Sequence, residues 1–205
     1  MKRVVPILAL AAASALALPA LAQTATPTYR AIASGALERP PNASPGTSLV
    51  TIELPGRQLL VDAPFRDLLG TTTAAHIHCC TADPFTGVAP VALPFAGFPT
   101  GVTAGDYDAA ISLGDPGSYD PAFLAAHGGT VRGAAAALVE AINANEAYVN
   151  FHTTAYANGE IRGFIVAAPV PEPAGWAMLG AGLAGLLWLQ GRRRFVQPAI
   201  RREEA

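Results

Sequence analysis

Apolar residues in this chain come mostly in short runs broken by Pro, Gly, Asn and Ser, a spacing that predicts strands more often than helices. The clearest runs cover residues 48–54, 58–63, 74–79, 107–113, 146–154 and 160–167. Asn158-Gly159, two residues that tolerate positive φ, separates the last two and predicts a hairpin between them. One stretch departs from this rhythm. Around 120–143, Asp120 precedes Pro121 and Thr130 precedes an alanine-rich run, so two capped helical pieces are predicted as an insertion among the strands.

Two longer apolar stretches sit near the ends. Lys2 and Arg3 lead into residues 4–18, and Ala20-Leu21-Ala22 then offers small side chains to a signal peptidase, so residues 1–22 are expected to be a signal peptide removed on export. At the other end Val170-Pro171-Glu172-Pro173 is followed by the uncharged residues 174–189 and by Arg192-Arg193-Arg194. These three parts together, over 169–195, resemble the PEP-CTERM sorting signal of Gram-negative bacteria. The resemblance implies an exosortase-type transpeptidase cutting near Pro171, Glu172 and Pro173. It also implies a transmembrane helix stopped by Arg192, Arg193 and Arg194, with 196–205 left as a cytoplasmic tail. The apolar span is shorter than the ~20 residues that cross a bilayer comfortably, with the arginines placed at the interface. The expected route is transient anchoring in the inner membrane, then the cell surface or the extracellular space.

Charge sharpens the picture of what lies between. Residues 23–173 hold no lysine and set six arginines against thirteen carboxylates, a formal charge of −7 that the whole-chain value of −2 conceals. A surface that negative repels phosphate backbones, so no nucleic acid partner is expected. About 150 residues also suffice for one domain with its own core, here 23–168.

Within that domain "YVNFHTTAYANGEIRGFIV", residues 148–166, closely resembles the C-terminal signature of the CHRD domain, named after chordin; Tyr148, Asn150, Glu160 and Arg162 are its structural positions. "AHIH" at 75–78 is similar to that family's other signature, and "SGALERPPNASPGTS" at 34–48 to its opening. The resemblance covers roughly 29–166 in order. It implies a mainly β fold, an antiparallel β-sandwich of Greek-key type carrying the helical insertion, and it implies no catalytic activity. Glu160 and Arg162, two apart on one strand, are expected to form an ion pair.

The reactive residues gather in "AHIHCC". Strand alternation puts His76 and His78 on one face, and His152 shares its own face with Tyr148 and Asn150. Two readings stay open. In the first, the histidines tie strands together by hydrogen bonds to carbonyls or neighbouring polar groups, and no cofactor is needed. In the second, the three imidazoles converge on Zn or Cu. His127, in a Gly-rich break, is read as a helix-end residue, and Asp106, Asp108, Asp115 and Asp120 as turn carboxylates without calcium spacing. Cys79 and Cys80, the only cysteines of an exported chain, have three options: a vicinal disulfide, an intermolecular bridge, or metal thiolates, in that order.

The function expected first is a non-enzymatic surface or extracellular-matrix module that binds exopolysaccharide or other matrix components. The alternative is a Zn- or Cu-dependent redox or metal-handling protein built on His76, His78 and His152.

Overall fold

A computed structural model describes residues 26–169 and 175–194; the expected signal peptide (1–22), the sorting residues Pro171, Glu172 and Pro173, and the tail 196–205 lie outside the described residues. In chain order the elements are β1 (Thr28–Ser34), β2 (Thr47–Glu53), β3 (Gln58–Asp62), β4 (Phe65–Arg66), β5 (Thr72–Cys79), β6 (Val91–Pro94), β7 (Asp108–Ser112), α1 (Pro121–Ala126), α2 (Val131–Asn143), β8 (Ala147–Thr153), β9 (Ile161–Phe164), β10 (Val166–Ala167) and α3 (Gly175–Arg194). All strands pair antiparallel, in the order β6-β5-β8-β9-β1-β2-β3-β7, with β10 added to β1 and β4 to β2. The described strands are therefore joined in one continuous curled antiparallel sheet, which gives the mainly β class with its short helices.

The helical insertion forms with the caps the sequence suggests. Asp120 accepts hydrogen bonds from the Ala122 and Phe123 amides to open α1, and Thr130 accepts from Gly133 to open α2. Each satisfies amides that the first helical turn leaves unpaired. Asp115 likewise accepts from Gly117 in its own turn. The strand predicted over 160–167 is divided at Ile165 into β9, which pairs with β8, and β10, which pairs with β1; the Ile165 N–H donates to Ala147, the next position of the β8 register.

One face of the sheet carries the core. Ala31, Ala33, Val50, Ile52, Leu59, Ile77, Val149, Phe151 and Ile161 are fully buried with Leu138 and Ile142 of α2. Phe65, Phe98 and Phe151 cluster with ring centroids 5.2–5.8 Å apart, the offset, tilted geometry aromatic rings favour.

The opposite face of the central strands is buried too, and it is polar. Registers His76↔Asn150, His78↔Tyr148 and Asn150↔Arg162 place these side chains side by side across β5, β8 and β9. The segment between β5 and β6, the 35–46 connection and the turn 154–160 cover that face. Charged residues there find partners among the covering loops. Glu160, with no exposure, accepts from Ser44 Oγ, Thr153 Oγ1 and the Leu69 and Gly70 amides. Burial alone would raise its carboxyl, yet the four hydrogen bonds together hold it below the ordinary carboxylate value. Arg162 donates to the carbonyls of Leu37 and Gly87 and lies 3.9 Å from Glu38. The ion pair expected between Glu160 and Arg162 is thus replaced: Glu160 is satisfied by Ser44, Thr153 and the amides of the β4–β5 connection, Arg162 by the carbonyls of Leu37 and Gly87, and the carboxylate beside Arg162 is Glu38.

α3 forms over the expected C-terminal stretch, but among the described residues no helix is long and apolar enough to cross a membrane. Five glycines and the closing arginines, Arg192, Arg193 and Arg194, dilute its apolar character.

Candidate metal centre

β5 and β8 are neighbours, and their register sets Ala74 opposite His152 and His76 opposite Asn150. Directly opposed residues point to the same face, so the pairing itself brings His152 beside the His-x-His pair. Ring centroids lie 5.0 Å apart for His76 and His152, 5.7 Å for His76 and His78, and 5.9 Å for His78 and His152. One ligand nitrogen from each ring lies within 4.8 Å of the others. Among the described residues these three form the group of metal-ligating type; neither cysteine joins it.

Two of the rings are oriented from behind. His78 Nδ1 donates to the Ala89 carbonyl at 2.9 Å, and His152 Nδ1 donates to the Ala157 carbonyl at 2.9 Å. A carbonyl can only accept, so each Nδ1 carries the proton and each Nε2 of a neutral ring presents a bare lone pair. Those two Nε2 atoms and His76 Nδ1 are buried and have no hydrogen-bond partner. The carbonyl bonds are present, yet each uses one nitrogen of its ring and leaves the other unsatisfied.

The surroundings favour the neutral form of His76 and His78. Burial, reinforced by His152 and His78, lowers His76 to about 4, and burial also depresses His78. Neutral imidazole is the form that ligates a metal. Three nitrogens without a carboxylate or thiolate suit Zn or Cu, at about 2.0–2.1 Å for Zn–N. Since nitrogens on one tetrahedral ion sit roughly 3.4 Å apart, the rings would have to draw in by about 1–1.5 Å on binding, within the reach of small side-chain rotations. Three protein ligands leave one position open.

The other candidate residues separate from this centre. Cys79 and Cys80 are joined to each other with an S–S distance of 1.97 Å, and both sulfurs lie 3.9 Å from the Ala137 carbonyl of α2. The Cys79 side belongs to the core face, away from His78, which removes the thiolate option. His127 caps the end of α1 against Phe123, 4.3 Å between rings. Asn150, Tyr148, Arg162 and Glu38 are on the histidine face. The sequence marks Glu38 only as the acidic residue of the 34–48 opening, without a role, and does not mark Ala89 or Ala157, because backbone carbonyls leave no trace in a sequence.

Glu38 is 4% exposed, and burial raises its carboxyl to about 7 despite Arg162 and a backbone hydrogen bond from Arg39. Its Oε1 and Asn150 Oδ1 are both buried without partners. Both crowd the α-carbon of Gly159, where a Cβ would collide with them.

Comparison with protein families bears out both resemblances. A PEP-CTERM protein-sorting motif matches residues 169–194, and implies an exported, cell-surface-directed protein processed by exosortase-type machinery. Neither a curated protein nor a solved structure matches the chain. The CHRD domain matches residues 29–165, from the first strand to the end of the hairpin that carries His152, and the chain belongs to the CHRD domain family.

Proposed function

We propose that this exported CHRD protein binds one Zn or Cu ion through His76, His78 and His152, and serves at the cell surface as a non-enzymatic metal-holding module. The carrying observation is the set of three buried, partnerless ring nitrogens facing one another while the outer nitrogens of His78 and His152 are committed to carbonyls. A buried nitrogen without a partner is unfavourable by about 1–3 kcal/mol, and the His78 and His152 Nε2 atoms, both acceptors, cannot satisfy one another. A single cation satisfies all three.

In this reading residues 1–22 are removed on export, residues 175–194 anchor the precursor briefly, and the sorted domain then sits at the surface or in the matrix. Association with matrix polysaccharide is a second reading. It is favoured by the sorting motif and by the exposed apolar groove, about 510 Å³, lined by Ile32, Leu37, Leu49, Phe85 and Phe164.

The metal reading is tested on mature protein purified without an affinity tag, after growth with both metals supplied. Near-stoichiometric Zn or Cu is expected, with a melting temperature that falls on chelation. His152→Ala and His152→Gln should both lose the metal-dependent rise, which at a metal concentration of a hundred times Kd corresponds to about 2.7 kcal/mol. Less than about a tenth of an equivalent in the parent would sink the proposal.

A further inference from the structure

Resting on the metal reading, we infer that Tyr148 and Arg162 are positioning residues for the centre: they hold the segment bearing the Ala89 carbonyl so that His78 keeps its bare nitrogen toward His76 and His152.

The three side chains form a stack across three adjacent strands. The His78 and Tyr148 rings lie parallel with centroids 4.8 Å apart, and the Arg162 guanidinium carbon lies 4.8 Å from the Tyr148 centroid. His78 comes from β5, Tyr148 from β8 and Arg162 from β9, so the phenol ring is held between an imidazole and a cation, a favourable cation–π arrangement away from water. Tyr148 and Arg162 are both 2% exposed, which fixes their rotamers.

The polar ends of the stack all reach the covering segment. The Ala89 amide donates to Tyr148 Oη at 3.2 Å, and the same hydroxyl donates to the Ala89 carbonyl at 3.4 Å. Arg162 Nη1 donates to the Gly87 carbonyl at 3.1 Å, while its Nε donates to Leu37 on the other loop. His78 Nδ1 then donates to that Ala89 carbonyl at 2.9 Å. Ala89 is thereby gripped on both its N–H and its C=O, and the gripped carbonyl selects the His78 tautomer. With Nδ1 protonated, Nε2 is the lone pair left to face the other two histidines. If the grip loosens, the neutral ring is free to carry its proton on Nε2, which cannot then ligate.

Outer partners of this kind typically alter metal affinity by about 10–100-fold. The present case differs from a direct carbonyl–histidine pair in that the orienting carbonyl is itself held by side chains of two other strands.

The experiment uses the mature domain and two readouts. Long-range ¹H–¹⁵N imidazole spectra of metal-free protein report the tautomer, and competition with a chelator reports Zn affinity. In the parent His78 should be the Nδ1–H form. Tyr148→Phe keeps the ring stack and removes only the hydroxyl; it should give a mixture of tautomers at His78, leave His152 unchanged, and weaken Zn binding by about 10-fold. Arg162→Met should do the same through Gly87. If that variant fails to fold, Tyr148→Phe alone decides. An unchanged His78 tautomer in folded Tyr148→Phe overturns the inference whatever its Zn affinity. A shifted tautomer in a protein whose parent takes up no Zn sustains the positioning role and defeats the metal reading instead.

Discussion

β8 is a single strand with two unlike sides. Ala147, Val149 and Phe151 face the apolar core, whereas Tyr148, Asn150 and His152 face a layer of histidine, arginine and loop carbonyls. All but His152 are buried below a tenth of their surface. Both sides are thus largely withdrawn from water, with His152 half-buried, and what differs is how burial is compensated. On the core side every methyl group removed from water adds a similar increment and no direction matters. On the polar side each donor and acceptor needs its counterpart at a set distance and angle, and three ring nitrogens are left without a partner. The first side sets stability; the second side sets chemistry.

The largest break in this comparison is on the core side. Phe151→Ala removes a ring in contact with Phe65 and Phe98 and should destabilise by about 3–5 kcal/mol in denaturant unfolding. Metal affinity of the fraction that remains folded should change little, because the neighbouring side chain His152 points the other way. A large loss of affinity in folded Phe151→Ala would show that the two faces are not separable.

Gly159→Ala comes next. Gly159 has φ +125°, and an added Cβ would meet Asn150 and Glu38. Destabilisation of about 1–3 kcal/mol is expected from backbone strain and the displaced pair. A melt equal to the parent would show that the turn relaxes freely.

Glu38→Gln sharpens the comparison through pH. The folded carboxyl at about 7 stands above its unfolded value of 4.5, so between those limits the folded state binds more protons and loses stability as pH rises. The glutamine variant lacks this loss. The stability of the parent minus that of Glu38→Gln should be most favourable near pH 4.5 and fall by pH 8. His76, lowered to about 4 from 6.5, slopes in the opposite sense within the same window, so the difference between the two proteins is the quantity to measure. A flat difference from pH 4.5 to pH 8 would refute the assignment.

The smallest effect is the most diagnostic. His76→Leu removes a partnerless buried nitrogen and replaces it with an apolar group of similar size, so the metal-free protein should melt within a few degrees of the parent, or above it. The same substitution should abolish the metal-dependent rise. A metal-free variant several kcal/mol less stable would mean that His76 supports the fold as it stands.

Much of this arrangement could be read from the chain. The alternation in "AHIH" sets His76 and His78 together, and the hairpin around Asn158-Gly159 fixes which face His152 takes. That the two faces coincide depends on β5 lying against β8, a pairing between segments about seventy residues apart that periodicity does not encode. β1 was not predicted because its pattern is blurred: Ile32 is 70% exposed while the inward positions are the small Ala31 and Ala33. β6 is four residues between prolines, too short to register. Glu160 and Arg162 misled because spacing along a strand gives the shared face but not the loop that folds over it. The orienting carbonyls of Ala89 and Ala157 belong to the backbone, and no side chain announces them.

Among the described strands the curled sheet ends on two rims, β6 and β7, and their make-up bears on how copies of this protein behave when crowded. A strand with unpaired N–H and C=O groups is a template onto which a neighbour can add its own strand. One rim is β6, Val91–Pro94, preceded by Pro90 and ended by Pro94, so its last position and the one just before the strand have no N–H to offer. The other is β7, Asp108–Ser112, which begins with a charge and has no fully buried residue to drive a partner onto it. Short, interrupted and charged rims discourage edge-to-edge pairing, so the sheet is kept from growing into those of neighbouring copies.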